Sequence, residues 1–288
     1  MVRIYDQTSR HNDLTIAPGG GANPTADQGA NAAALPVTAG GHKVYGVYIS
    51  AGNGYRNNAT NGVATGSQPE GTHVNNRCCF DYGNAETNNM DTGNGDMDAI
   101  YFGTLCWFSP CAGGPRVAAD LENGLFAGGN GSSTANTGRS SAFVTAMLKN
   151  NGTSTYAIKD GNAQSGSLAT RYNGALPTQA GYDPMTKQGA IILGIGGDNS
   201  NGSVGSFFEG VMTSGYPSDA TENAVQANVV SVGYSKSVTF PVNGATYRLT
   251  NLTSGKVLDA VNCGTANGTP ARLWMWLNNT CQLWSIAP

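Results

Sequence analysis

Apolar residues in this chain fall in short runs, each broken by Gly or Asn before it can grow into a helix. Runs at 43–50, 97–105, 117–121, 142–149, 190–195 and 206–213 alternate or continue with β-branched and aromatic residues, as buried sandwich strands do. The segments 128–138 and 161–166 are small and polar and read as loops. One stretch has helical character. Asp219 is placed to cap it, Glu222 three residues on completes a capping box, and Val225 and Val229 fall on one face. The helix is expected to end near Val232 and to close a first domain.

After Ser235 the pattern changes. Residues 245–249 read as a strand, 255–259 as a hairpin arm and 268–270 as a turn, followed by Leu273-Trp274 and Gln282-Leu283-Trp284. The boundary falls near 236–243, giving domains 1–236 and 237–288. The expected class is all-β, a jelly-roll-like, concanavalin-like β-sandwich followed by a small module.

Composition sharpens this picture. The 288 residues include 41 Gly, which favours turns and short strands, and can bury one large core plus a small one. Net charge is −3 with no basic patch, so nucleic acid is excluded as a partner. No apolar run reaches membrane-spanning length. Met1–Tyr5 starts no signal peptide, since no apolar stretch follows it. Six cysteines at 78, 79, 106, 111, 263 and 281 are even in number and locally grouped, as disulfides of an exported protein are. Zinc would need a repeated Cys-x-x-Cys or Cys/His spacing, which is missing. Cys78 and Cys79 could join each other in a strained ring or pair elsewhere, for example with Cys106 and Cys111. Asn-x-Ser/Thr sequons begin at Asn58, Asn130, Asn151, Asn201, Asn251, Asn267 and Asn278.

Charged residues make up only 11% of the chain, so carboxylates at the ends of apolar runs stand out. Glu122 follows 117–121, and strand alternation would put it on the same face as Asp120. Asp198 follows the run ending in Gly196-Gly197, where glycine lets backbone approach a ligand. Two such carboxyls are the equipment for cleaving a glycosidic bond; solvated strand caps would carry the same pattern. Glu86 and Glu209 are further carboxylates, either as support or as the true partner. Asp91–Asp96 departs from a calcium loop at Gly93 and reads as a polar turn. Gly194–Gly197 lacks the third glycine and helix of a dinucleotide loop. His11, His42 and His73 are scattered, with no serine elbow to make a triad.

At these segments the chain resembles the catalytic domain of glycoside hydrolase family 54 α-L-arabinofuranosidases. The likeness runs from about residue 4 to 233. It is carried by Ile4-Tyr5-Asp6-Gln7, Gly54-Tyr55-Arg56-Asn57-Asn58, 78–87, Asp98-Ala99-Ile100-Tyr101, 120–126, 165–168, 189–203 and the block 209–223. The resemblance implies a retaining enzyme that releases terminal arabinofuranose from arabinoxylan or arabinan without metal or cofactor. Glu122 would be the nucleophile and Asp198 the acid/base. Asp120, Asn123, Gly197 and Trp107 would contact sugar. Cys78-Cys79 would be a vicinal disulfide against the sugar face, leaving Cys106 to pair with Cys111. The family carries further residues upstream of Ile4 and a short strand near Gly71. It has His where Asp96 stands and Trp where Arg116 stands.

The tail from about 245 to 286 resembles one repeat of a ricin-type β-trefoil lectin. In it Asp259 and Trp276 would hold a sugar and Cys263 would pair with Cys281; alternatively, Trp274 and Trp284 are core and nothing binds. Three copies of such a repeat could associate to complete a trefoil. Two other functions stay open: a carbohydrate-binding protein with an idle sandwich, and a related glycosidase acting on β-xylosides or galactofuranosides.

Overall fold

In the computed structural model, which describes residues 1–72, 80–236, 246–251 and 253–285, the chain divides into two compact units, Met1–Ser237 and Val238–Pro288. The first is built on an eight-stranded antiparallel sheet. Edge to edge it runs Arg3–Ile4, Leu14–Ile16, Tyr55–Asn57, Ala190–Ile195, Asp81–Ala85, Asp98–Gly103, Arg116–Asp120 and Leu125–Phe126. Two smaller sheets complete the unit. One orders Ser165–Ala175, Thr155–Asn162, Val144–Asn150, Glu70–Thr72 and Thr213–Ser214. The other orders Gly205–Phe207, His42–Ile49, Leu35–Ala39 and Ser235–Lys236.

Pleat alternation gives the large sheet two unlike faces. Cross-strand partners Tyr55, Leu193, Tyr82, Ile100 and Ala119 form one row. They enter cores shared with Val47, Ile49 and Phe207 on one side, and with Ala146, Leu148, Tyr156 and Ile158 on the other. Each large apolar side chain fully buried there contributes roughly 1.5–3 kcal/mol. The opposite row is Arg56, Ile192, Gly83, Ala99 and Asp120. Its middle is paved by small residues, and its two ends carry charge.

Several expectations change. The 206–213 run is not one strand. Gly205–Phe207 pairs with His42–Ile49, and Thr213–Ser214 pairs with Glu70–Thr72 in a different sheet. The polar 161–166 segment is the turn of a hairpin between Thr155–Asn162 and Ser165–Ala175. Its second strand is largely polar and half-exposed, so apolar periodicity could not mark it. The helix spans Asp219–Val232, but Ser218 caps it, accepting from the Thr221 amide, and Gly233 ends it at φ 67°. Asp219 is drawn instead to Lys149 and Lys159, each at 2.7 Å. Glu222, buried beneath the helix, accepts from the same two ammonium groups at 2.9 and 2.5 Å. That buried network fixes the helix to strands Val144–Asn150 and Thr155–Asn162.

In the small unit Thr246–Tyr247 pairs with Trp284–Ser285, and Val257–Ala260 with Ala271–Trp274. Cys263 and Cys281 are disulfide-bonded. The half-buried Trp284 donates from Nε1 to the Leu258 carbonyl at 2.9 Å. Trp274, by contrast, is 42% exposed with the Arg272 guanidinium over its ring, so it is not a core residue.

Candidate active site

The charged row of the large sheet gathers its carboxyls on one face. Asp120 is the last residue of Arg116–Asp120, paired with Ala99 and Leu125. The strand then stops. Glu122 and Asn123 have φ of 63° and 50°, a left-handed conformation that non-glycine residues rarely adopt. Simple alternation therefore does not carry Glu122 to the face of Asp120; the turn does. It is over-determined: the Glu122 amide donates to Asp120 Oδ1 at 3.2 Å, Tyr182 Oη to the Glu122 carbonyl at 3.0 Å, and the Leu121 amide to the Gly124 carbonyl at 3.1 Å. Glu122 is 5% exposed.

Asp198 stands in a tight turn after Ala190–Ile195. The Gly196 amide donates to the Ser200 carbonyl at 3.0 Å, the Ser200 amide to Asp198 Oδ1 at 3.0 Å, and Asn199 takes φ 65°. The 19–22 segment packs across this turn, with the Ala22 amide on the Asp198 carbonyl at 2.9 Å. A Cβ on Gly20 would sit 2.6 Å from that carbonyl oxygen, so only glycine fits. Asp198 itself is half-buried, whereas Gly197 is buried.

Glu86, just past Asp81–Ala85, lies between the two. It is fully buried, and a Cβ on Gly197 would fall 2.2 Å from both of its carboxyl oxygens. Its carboxyl meets that of Glu122 and feels the charge of Asp198. Neither oxygen receives a hydrogen bond from a protein donor among the described residues, so the contact with Glu122 is a hydrogen bond only when one of the two carboxyls carries a proton. Asp81, also fully buried, faces Asp120, Asp198 and Glu86. Arg56 enters from strand Tyr55–Asn57 close to Glu86, Glu122 and Asp198. Its guanidinium donates to the carbonyls of Gly197 and Glu86 and to Asn58 Oδ1. It thus braces backbone on both sides of the site while lending positive charge to the cluster.

Burial is the first cause of raised proton affinity throughout. It pushes Asp120 up to about 7, with Glu86 and Asp198 adding repulsion against the partial relief of the Glu122 amide. Glu86 and Glu122 are both pushed up by burial, and Glu86, Asp120 and Asp91 repel the charge of Glu122, whereas its own backbone amide and then Arg56 offset part of the effect at Glu86. This is the environment in which one carboxyl stays protonated beside an ionised neighbour.

Asn123 is exposed and donates to Asp91 Oδ1 at 3.0 Å. Trp107 is 52% exposed on the short loop closed by the Cys106–Cys111 disulfide. Buried Arg116 secures that loop through the carbonyls of Leu105, at 2.8 Å, and Ala112. Cys78 and Cys79, with His73, lie outside the described residues. In the small unit the Asp259 carboxylate is taken by Arg272 at 2.7 Å, and half-buried Trp276 receives the Arg248 guanidinium over its ring. Asp96 accepts from Thr92 at 2.6 Å and from Thr186, so its carboxylate is engaged within the turn. No cluster of three or more ligating side chains is arranged to hold a metal among the described residues. No helix among them is long and apolar enough to cross a membrane. Arg56 and Asp81 are the residues that periodicity missed. The available signals were a charged side chain in a chain only 11% charged, and the segments 54–58 and 78–87 that carry the family resemblance.

The catalytic-domain family of alpha-L-arabinofuranosidase B matches residues 1–235, and a ricin-type beta-trefoil lectin domain-like family matches 237–288. A probable alpha-L-arabinofuranosidase B of Aspergillus clavatus is 55% identical over 88% of this chain and 50% of its own length. An alpha-L-arabinofuranosidase of Hypocrea jecorina is 56% identical over 81% and 49%. A Trichoderma koningii protein named arabinofuranosidase/B-xylosidase is 55% identical over the same shares. The chain thus spans about half the length of these relatives. A crystal structure of an arabinofuranosidase complexed with arabinofuranosyl-alpha-1,2-xylobiose superposes with a TM-score of 0.79 at 43% identity, covering 99% of this chain and 63% of that one.

Proposed function

We propose, from the premise that this chain belongs to the family of alpha-L-arabinofuranosidase B catalytic domains, that it releases terminal α-L-arabinofuranose from arabinoxylan or arabinan with retention of anomeric configuration. The observation that carries the reading is the convergence of Glu122, Glu86, Asp120 and Asp198 around Arg56 on one face of the large sheet.

In this mechanism Asp198, half-buried and so within reach of a leaving group, protonates the glycosidic oxygen. Glu122 attacks the anomeric carbon to form a glycosyl-enzyme. Asp198 then deprotonates a water that releases arabinose. Asp120, Asn123, Gly197 and Trp107, with the Cys78-Cys79 pair, would line the sugar subsite. The left-handed turn at Glu122 serves pre-organisation, since misplacement by about 1 Å costs on the order of a hundredfold in rate. The disulfides favour a secreted protein. Asp259 and Trp276 would offer a sugar contact in the small unit once Arg272 releases the carboxylate.

The test is hydrolysis of 4-nitrophenyl α-L-arabinofuranoside, with Glu122→Gln beside the wild type and NMR reading the anomer first released. Retained product that disappears in the variant supports the reading. A folded wild type that binds arabinoxylan but hydrolyses no furanoside overturns it. Because one 55% identical relative is named a β-xylosidase as well, an aryl β-xyloside belongs in the same panel.

A further inference from the structure

We propose that the carboxyls of Glu86 and Glu122 share one proton, and that Glu86 holds it while Glu122 attacks, making Glu86 the positioning residue for the nucleophile. The proposal rests on the retaining mechanism above and adds a residue to it.

Three features of the site carry the inference. The Glu86 carboxyl is fully buried and wedged over the Cα of Gly197, so it cannot swing away to water. No protein donor among the described residues satisfies its oxygens, and Arg56, the cation beside it, spends its hydrogen bonds on the carbonyls of Gly197 and Glu86 and on Asn58. Beyond its own backbone amide, the polar group its carboxyl meets among the described residues is the carboxyl of Glu122. Two ionised carboxylates in contact away from water repel strongly, whereas a carboxylic acid against a carboxylate forms a short, charge-assisted hydrogen bond. The charged groups facing the pair are Arg56 from strand Tyr55–Asn57, Asp81 from Asp81–Ala85, Asp120 at the end of Arg116–Asp120, Asp198 after Ala190–Ile195, and Asp91 on the Glu122 side.

The shared proton does not stay with one oxygen. In the free molecule burial raises the proton affinity of both carboxyls, and each repels a second charge on the other, so the pair holds a proton between them. Positive charge developing at the anomeric carbon favours an ionised Glu122. The proton then crosses the existing hydrogen bond from a Glu122 oxygen to a Glu86 oxygen. Glu122 uses its freed electron pair to bond the anomeric carbon, and the leaving group departs with its own bonding pair. When the glycosyl-enzyme is hydrolysed, Glu122 is expelled as a carboxylate and the proton returns.

The deciding experiment measures kcat/KM against pH for wild type, Glu86→Gln and Glu86→Ala on 2,4-dinitrophenyl α-L-arabinofuranoside. This leaving group needs no protonation, so the rate no longer depends on a general acid at the leaving oxygen. The wild type should lose activity at alkaline pH as the pair sheds its shared proton. Glu86→Gln offers a permanent amide donor to an ionised Glu122. It should keep kcat/KM within about tenfold and lose the alkaline limb, while Glu86→Ala should fall by about a hundredfold or more. Equal losses in both variants with the wild-type limb intact would reduce Glu86 to a packing role and overturn the proposal. Loss of about a thousandfold or more in Glu86→Gln alone would make Glu86 an ionised participant and overturn it too. Infrared pH titration of the carboxylic-acid band reads the proton without turnover. At neutral pH the band should shrink by one carboxyl in Glu86→Gln, and an unchanged band contradicts the shared proton. An inactive wild type with that shrinkage would sink the proposed function and leave the proton pair standing.

Discussion

At Gly197 the geometry allows no side chain at all. A methyl there would meet both Glu86 oxygens at 2.2 Å, so Gly197→Ala must push Glu86, and through it Glu122, out of place. A loss of about a hundredfold or more in kcat/KM on the aryl furanoside is expected with the fold intact by circular dichroism. The raised carboxyls also set a pH dependence of stability. Asp120 and Glu86 are pushed up to about 7, so the folded state binds protons more tightly than the unfolded chain. Their contribution is full below the ordinary carboxylate range and is lost as pH rises through about 7. The melting temperature should therefore fall between about pH 4 and about pH 8, and Asp120→Asn, which cannot ionise, should flatten that slope in a thermal-shift series.

At the element scale, the helix Asp219–Val232 depends on an ion network more than on an apolar stripe. Glu222 and Gln226 are its buried residues, and Glu222 neutralises two lysines that are only 3% and 6% exposed at the side chain. Glu222→Ala would leave both ammonium groups short of a counter-charge at a buried site. The expected cost is about 3–5 kcal/mol by urea unfolding, against about 1 kcal/mol for removing the Ser218 cap with Ser218→Ala. Sequence reasoning found the helix and its end near Val232, yet named Asp219 as the cap. Both Ser218 and Asp219 are good caps by type, and only the positions of Lys149 and Lys159 decide that the Asp219 carboxylate is called away and the Ser218 hydroxyl caps. The missed strands have a similar cause. Ser165–Ala175 is long but mostly polar, and its partner Thr155–Asn162 places Lys159 and Asp160 in buried positions satisfied by ion pairs. Hydrophobic periodicity is silent about such strands.

For the whole molecule, the division into Met1–Ser237 and Val238–Pro288 predicts two unfolding events. The smaller unit can bury little apolar surface, and Leu273, Trp274, Met275 and Leu277 remain 42–64% exposed in it. Its disulfide closes a separation of 18 residues and is worth about 3 kcal/mol. Calorimetry should show a minor transition that vanishes when Cys263 and Cys281 are both replaced by Ala, while the major transition and hydrolysis of the aryl furanoside persist. A single transition abolished by that replacement would mean that the units do not unfold independently.

The sequence by itself determined the β-rich class, the change of character after Ser235, and the scarcity of charge that made Glu122 and Asp198 conspicuous. Those are local properties, readable from composition, turn residues and motif. Tertiary structure decided which carboxyls meet. Arg56, the stretch from Asp81 to Glu86, Asp120 and Asp198 come from segments far apart in the chain, and cross-strand register brings them together. The turn at Glu122 reaches that face through a left-handed backbone that alternation does not predict. Proton affinity followed the same rule, because it depends on burial and on neighbours, and neither exists until the sheet has closed over them.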